Sequence, residues 1–525
     1  MRNGVRQRLI ITAAAALLLS VSGGSARNWY VSPSGSGAKD GSSPANAFSA
    51  VSDGVSSAGP GDSIILAGGT HQVSARVNIT ASGTAGAPIH LAAENPSTRR
   101  AVLDFTSQGF GSSNQGISLK GNYWHIVGLD IMNAGDNGMI VDGGYYDTIE
   151  WCSFHENSDA GLQLRHGASH DLVLNCDSWW NYDAPTNGGN ADGFAPKLDV
   201  GDSVIFRGCR SWGNSDDGWD GYLKTAGTAY PDNMLTIIEN CWAFDNGYYH
   251  GDPNSPNNSG SMNGNGFKMG GSSTPYVRHP HILRNCLSFF NKAKQFDQNH
   301  NMGSMTLFNC TAYSGVNGRN YAITEALTDG ILAVKNCIST GGGSVSLLAG
   351  DVEATNSWSA GLSVSNADFR SVDTAGVRGP RKTDGSLPDV AFMHLSASSA
   401  LIDAGTDVGL PFSGAKPDLG AFEFQNSSGA IHKTTSSFFP VKFSQCMRLA
   451  DSYRIDISYN LPCDACIAIG SYGADGRRIE ILQNGKESRG VHHHAIRLPA
   501  RSLSVGFIKI TENGCRAQSK AMVFQ

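Results

Sequence analysis

The chain has 525 residues, a net charge of −6 and only 16% charged residues. Core size is therefore not limiting, and no basic field exists to draw nucleic acid to it. Glycine is abundant, at 64 residues, which suits many tight turns rather than long helices.

The N-terminus carries Arg2, Arg6 and Arg8, then an apolar run from Leu9 to Val21, then Gly24-Ser25-Ala26. This order predicts a signal peptide over residues 1–26. The run is too short to cross ~30 Å of hydrocarbon, and no later stretch is long and apolar enough for a spanning helix. A secreted protein is expected, extracellular or cell-surface, without a membrane span and in a compartment rich in calcium.

Residues 27–425 read as one domain. It opens with "NWYVSPSGSGAKDGSSPANAFSAVSDGVSSAGPGDSIILAGGTH" (28–71), in which "AFSAVSDGVSSA" predicts a short helix capping an open core. The middle then repeats itself: "IEWCSFHEN" (149–157), "LVLNCDSWWN" (172–181), "VIFRGCRSWGN" (204–214), "TIIENCWAFDN" (236–246), "HILRNCLSFFN" (281–291), "MTLFNCTAYSG" (305–315) and "LAVKNCISTGG" (333–343). A short apolar strand leads into Asn or Gly, then Cys, then Ser or Ala with an aromatic, then Asn or Gly. The cysteines recur at spacings of roughly 24 to 33 residues, with one longer. One short strand per period, polar turns and no helical pattern predict a right-handed parallel β-helix. Stacked rungs ~4.8 Å apart place Cys152, Cys176, Cys209, Cys241, Cys286, Cys310 and Cys337 in one inward column, as buried free thiols. The asparagines before them (175, 240, 285, 309, 336) predict an amide ladder at a turn. "KPDLGAFEF" (416–424) resembles the closing strand of secreted β-helix proteins, and the polar stretch 426–437 reads as a linker.

Residues 438–525 change texture, to period-2 strands with an Asp475-Gly476 hairpin signal. They predict a small antiparallel β-sandwich, so the whole chain is expected to be all-β. Two disulfides among Cys446, Cys463, Cys466 and Cys515 suit an exported domain; a redox or zinc role for Cys463-x-x-Cys466 is the alternative, as metal binding is for His492-His493-His494. Tyr459-x-Leu-Pro, Gly476-Arg-Arg, Gly490-x-His and Lys520-x-Met-Val-Phe together resemble the C-terminal sorting domains of certain Gram-negative exported proteins. That resemblance implies the outer-membrane export machinery as a partner.

Three stretches superpose on a Gly-aromatic pair: Asp192-Gly-Phe-Ala195, Asp217-Gly-Trp-Asp220 and Asn265-Gly-Phe-Lys268, with Gln295-Phe-Asp297 in the next coil. As successive rungs they stack the aromatics inward and turn Ala195, Asp220, Lys268 and Asp297 outward in one column. Asp192, Asp216, Asp217 and Asp220 then converge. Carboxylates at strand spacing repel unless a cation sits between them, and a hard oxygen set suits Ca²⁺. The spacing matches neither an EF-hand nor the nonapeptide calcium repeat. Lys268, one rung beyond Asp220, stands where an amine would take the C5 proton of a calcium-held uronate and start β-elimination. Lys197, beyond Pro196 and outside the aligned column, is the alternative base.

"NADGFAPK" (190–197), "GCRSWGNSDDGWD" (208–220), "GNGFKMGG" (264–271) and "FDQNHN" (296–301) resemble polysaccharide lyase family 9, the β-helical pectate lyases, over roughly residues 28–424. The resemblance implies calcium held by Asp192, Asp216, Asp217 and Asp220, Lys268 as catalytic base, and a polygalacturonate substrate giving 4,5-unsaturated products. Asp297, Gln298, Asn299 and His300 are expected to contact sugar, and the insert 248–263 to wall the cleft. A monomer is expected. Three other readings stay open: a β-helical polygalacturonase-type hydrolase, a rhamnogalacturonan lyase, and a non-catalytic glycan-binding solenoid stabilised by calcium.

Overall fold

The computed structural model describes residues 26–425 and 442–523, apart from residues 99 and 360 and the segments 225–232, 273–275, 314–317, 328–329, 349–351, 449–451, 462–464, 474–477, 488–489, 500–504 and 513–515. Apart from Ala26, the expected signal peptide falls outside the described residues, as do the linker, the side chains of Cys446, Cys463, Cys466 and Cys515, and those of His493 and His494.

Three parallel sheets of twelve, ten and ten strands wind around one core as a right-handed β-helix. One coil shows the plan. Thr148–Glu150, Ser153–His155 and Leu162–Arg165 each supply one sheet, and pair with Leu172–Leu174, Asp177–Trp179 and Phe194–Pro196 of the next coil. Such short strands bury little each, so register rests on side chains that repeat from coil to coil. The seven cysteines are free and buried, as the spacing predicts, and Cys176 Sγ accepts the backbone N–H of Cys152 at 3.4 Å.

The asparagines preceding the cysteines sit at φ of +53° to +56°, a left-handed turn that asparagine tolerates. Their ladder is partial: Asn285 donates to Asn240 at 3.1 Å and Asn336 to Asn309 at 3.0 Å. The continuous ladder belongs to the other asparagine of the repeat, after the aromatic. Asn157, Asn181, Asn214, Asn246 and Asn291 are almost wholly buried. Each side-chain amide donates to the next side-chain oxygen at 2.7–3.0 Å, and the series ends on Gln295.

Two aromatic columns flank these ladders. Inside, Phe194, Trp219, Phe267, Phe296 and Tyr321 stack at 4.9, 4.8, 5.3 and 4.9 Å. Outside, His155, Trp179, Trp212, Phe244 and Phe289 stack nearly parallel. Residues up to Leu419 fold over the outer column, and Phe369, Phe392, Leu395 and Leu401 make a second apolar layer with Trp242, Phe244 and Phe289. Here the structure corrects one expectation, because 416–424 forms no strand. Gly420 N–H bonds to Asn336 O at 2.8 Å and Ala421 N–H to Thr311 Oγ1 at 2.9 Å, so the stretch runs across the sheet instead of extending it.

The predicted cap is a helix, Val51–Ser57. It seats Val51 and Val55 on the first coil, and a side chain at Gly54 would collide with Val31 and Ile64. Residues 442–523 form antiparallel sheets of three and four strands, and Ala465–Gly473 pairs with Arg478–Glu487 across the predicted hairpin.

Among the described residues Asn157 makes no hydrogen bond to the aspartate cluster, and its amide serves both Asn181 and the N–H of Ala134. Asn157→Ala is expected to orphan buried partners and cost about 1–3 kcal/mol, read as a lower melting temperature with the folded β-sheet spectrum retained.

Candidate active site

The site occupies the ten-stranded sheet that carries the inner aromatic column. Its glycines are dictated by contact: a Cβ on Gly193 or Gly266 would lie 2.0 or 2.1 Å from Ser211 Oγ or Ser288 Oγ, and one on Gly218 would lie 2.5 Å from Gly266 O. Coils therefore approach closely at this turn, and the register follows the alignment read from sequence. Phe194 pairs with Trp219, Trp219 with Phe267 and Phe267 with Phe296; one residue on, Asp220 pairs with Lys268 and Lys268 with Asp297.

The residues before the glycines form a ladder of their own. Asp192 Oδ1 accepts the N–H of Asp217 at 3.1 Å, and Asp217 Oδ1 accepts both the N–H and the side-chain amide of Asn265, at 2.7 and 2.8 Å. These bonds fix the carboxylates before any ligand arrives. Oxygens of Asp192, Asp217 and Asp220 lie within 4.8 Å of one another, and all three residues are buried. Asp216 stands beside this group and not in it, its two oxygens accepting the N–H groups of Asn190 at 2.9 Å and Asn263 at 3.3 Å. It ties the loop before Asp192 to the end of the 248–263 insert. Lys292 Nζ pins that insert through the carbonyls of Ser259 and Met262.

Two lysines neutralise the cluster. Lys268 Nζ lies 2.9 Å from Asp217 and 3.1 Å from Asp220. Lys197, placed outside the aligned column by sequence, reaches back to bond Asp192 and lies 3.3 Å from Asp220. Its backbone is one strand end away, yet its four-carbon stem spans the gap. The outward face is largely shielded from solvent here, for Asp220 is 5% exposed and the Lys268 side chain 11%.

Charge and burial set the protonation. Burial drives Asp192 well above the usual carboxylate range, and neighbouring Asp220, Asp216 and Asp217 add to this against the pull of Lys197. Burial, then Asp217, pushes Asp216 up to about 7. Burial also raises Asp217, whereas at Asp220 burial is outweighed by the two lysines, Lys268 first, which hold it low. Burial opposes the charge on Lys268, but Asp217 and Asp220 overcome it and hold the ammonium well above its ordinary value. Beneath the cluster lies His279, which sequence reading did not single out. Its Nδ1 is 2.7 Å from Gly221 O, and burial pulls its pKa down to about 4.

The downstream residues divide. Asp297 is buried and bound by Lys294 Nζ at 2.9 Å. Both ends of the Gln298 amide are used within the fold, on Asn301 O, Glu325 O and Glu325 N–H. Asn299 donates to Gly270 O. His300 is half exposed, 2.6 Å from Glu325, and lines a cleft with Lys294 and Asn299.

Three convergent buried carboxylates are a hard-oxygen donor set of the kind calcium takes. Asn265 fits the same role, since its amide donates to Asp217 while its Oδ1 is buried without a partner.

Comparison with known proteins agrees with this geometry. The family model for the Pel9A-like, right-handed β-helix region matches residues 29–337. Pectate lyase L of Dickeya dadantii (strain 3937) is 38% identical over 409 residues, covering 76% of this chain and 90% of that one. The solved structure of pectate lyase Pel9A superposes with a TM-score of 0.68 at 35% identity, over 77% of this chain and 98% of that one. A rhamnogalacturonan lyase superposes with a TM-score of 0.61 at 26% identity, over 71% and 97%.

The raised carboxylates give the cluster a pH signature. Asp192, Asp216 and Asp217 keep protons in the folded chain that the unfolded chain has lost above pH ~4, so stability falls as pH rises from there toward about 7. A cation entering the set displaces those protons. The rise in melting temperature on adding calcium is therefore expected to be larger at pH 8 than at pH 5; equal increments would place the ion elsewhere.

Proposed function

This chain belongs to the Pel9A-like β-helix family and is a polysaccharide lyase, and from that premise we propose a secreted, calcium-dependent pectate lyase that cleaves polygalacturonate by β-elimination. The observation that carries the chemistry is the pairing of Asp220 with Lys268 on adjacent rungs, with Lys268 Nζ at the edge of the carboxylate cluster.

Asp192, Asp217 and Asp220 would hold the calcium, with Asp216 bracing the loops beside them. When bound, the ion supplies a hard Lewis acid that holds a uronate carboxylate and makes the adjacent C–H bond more acidic. Lys268 then acts as base. Its neutral amine takes the C5 proton, the C5–H electrons form the C4=C5 bond, and the C4–O bond breaks with its electrons leaving on the glycosidic oxygen. Water protonates that oxygen as it departs, giving a 4,5-unsaturated end on one fragment and a new reducing end on the other, and the Lys268 ammonium returns its proton to solvent. Lys197 holds Asp192 and Asp220 in place and lies on the opposite flank from Lys268.

A hydrolase fits less well. It divides acid and base between two carboxyl groups, and here every carboxylate of the cluster is engaged by lysine or backbone N–H. The rhamnogalacturonan lyase likeness favours that polymer as the second substrate to try. Residues 1–26 and 438–525 support export, the latter as a sorting domain that hands the enzyme to outer-membrane machinery.

Purified protein on polygalacturonate with calcium is expected to give unsaturated uronide by ultraviolet absorbance, and excess EDTA to abolish it. Lys268→Ala is expected to cut kcat by about 10²–10⁴-fold; undiminished activity in either case would overturn the mechanism. Because the base must be neutral and its pKa is held high, kcat/KM is expected to rise about tenfold per pH unit on the alkaline side of neutrality. A flat profile would mean that another group takes the proton.

A further inference from the structure

Beyond the cluster, the site sheet continues into a cleft of about 330 Å³ lined by Lys294, Asp297, His300, Arg319 and Glu325. Its strands Lys294–Asp297 and Arg319–Ile323 follow Lys268 in order, with Lys268 paired to Asp297 and Asp297 to Ala322. At strand spacing the second of these rungs lies about 10 Å from Lys268 along the axis. Lys294 and Arg319 occupy paired positions at the start of the two strands.

Most charges in the cleft are spoken for. Lys294 Nζ is 2.9 Å from Asp297, which is buried, and His300 is 2.6 Å from Glu325. Arg319 is exposed and, among the described residues, no carboxylate pairs with it. An arginine on a cleft wall with no anion offers a planar fork of donors shaped for a carboxylate. Beside the cleft, Tyr276, 41% exposed, lies parallel on the cleft-lining His300 at 4.4 Å. An aromatic face beside a cation suits a pyranose ring bearing a carboxylate.

We propose that this cleft is a second uronate subsite, in which Arg319 binds a substrate carboxylate roughly two rungs downstream of Lys268. The subsite rests on the lyase reading and extends it. It makes the enzyme read an unesterified uronate at a distance from the bond it breaks, and so favours stretches of acidic polymer over isolated acidic residues. Arg319 acts in binding alone, since it lies too far from the reacting carbon to share in proton transfer.

The test uses the Lys268→Ala chain, so that ligand survives the measurement, and calorimetric titration with hexagalacturonate in calcium. Adding Arg319→Ala is expected to weaken binding about tenfold, and Arg319→Lys to restore much of the loss as a point charge. Fully methyl-esterified hexagalacturonate is expected to bind equally well with Arg319 present or replaced by alanine. Affinity for the acid form unchanged within twofold overturns the subsite, as does an equal loss for the ester, which would remove the carboxylate from the contact. In the otherwise unmodified enzyme, Arg319→Ala is expected to raise KM for polygalacturonate about tenfold with kcat within twofold. An enzyme that makes no unsaturated product, but whose hexagalacturonate affinity still depends on Arg319, would lose the lyase reading and keep the subsite.

Discussion

Stacking like on like along one axis is the constraint from which this structure follows. Strands of two to five residues have few backbone bonds each, and a slip of one residue would turn every side chain to the wrong face. The thiols, the buried asparagine ladder and the inner aromatic column all repeat coil after coil, so each penalises a slip independently. That redundancy lets residues 48 apart in the chain, Asp217 and Asn265, meet at 2.7 Å.

The same stacking creates the electrostatic problem that the site exploits. Repeating a residue from rung to rung is harmless for asparagine, which donates and accepts, and costly for aspartate, which only accepts when charged. Asp192 and Asp217 are tolerated because each oxygen column receives backbone N–H groups from the next coil, and because two ammonium groups close the remaining charge. Two lysines and one divalent cation carry equal charge. A cation in the carboxylates would therefore relieve both ammonium groups of that role, Lys268 at Asp217 and Asp220 and Lys197 at Asp192 and Asp220. On the mechanism proposed above, that relief would weaken the attraction holding the Lys268 pKa high and free its amine to act as base.

Much of this was legible in the residues. The glycine before three of the aromatics marks the close approach of coils, so aligning on that pair recovered the register of Asp220 and Lys268, and the aromatic of the next coil that of Asp297, without any structure. The reach of Lys197 was not legible, because the alignment tracks backbone register and a flexible stem crosses it. Nor was the division between Asp216 and its neighbours, which depends on where loop N–H groups from Asn190 and Asn263 fall. The fold of residues 362–419 over the outer aromatic column escaped for a different reason. That segment has no period, and its apolar residues become a layer only against a surface the repeats have already built. The run 416–424 shows the limit directly: it resembles a closing strand, yet Gly420 and Ala421 bond across the sheet to Asn336 and Thr311 instead.

Placement of the chemistry on the outer face follows from what the inner face is used for. Inside, the site sheet is filled by stacked, buried rings. Outside, successive rungs present side chains at intervals of about 4.8 Å, a repeat close to that of an extended sugar chain. A groove built this way grows by adding coils: the carboxylates take two rungs, Lys268 a third, and the cleft at Lys294 and Arg319 the next two. Each function sits one rung from the last because the backbone offers no finer or coarser step. A linear acidic polymer is the ligand whose geometry matches such a ruler.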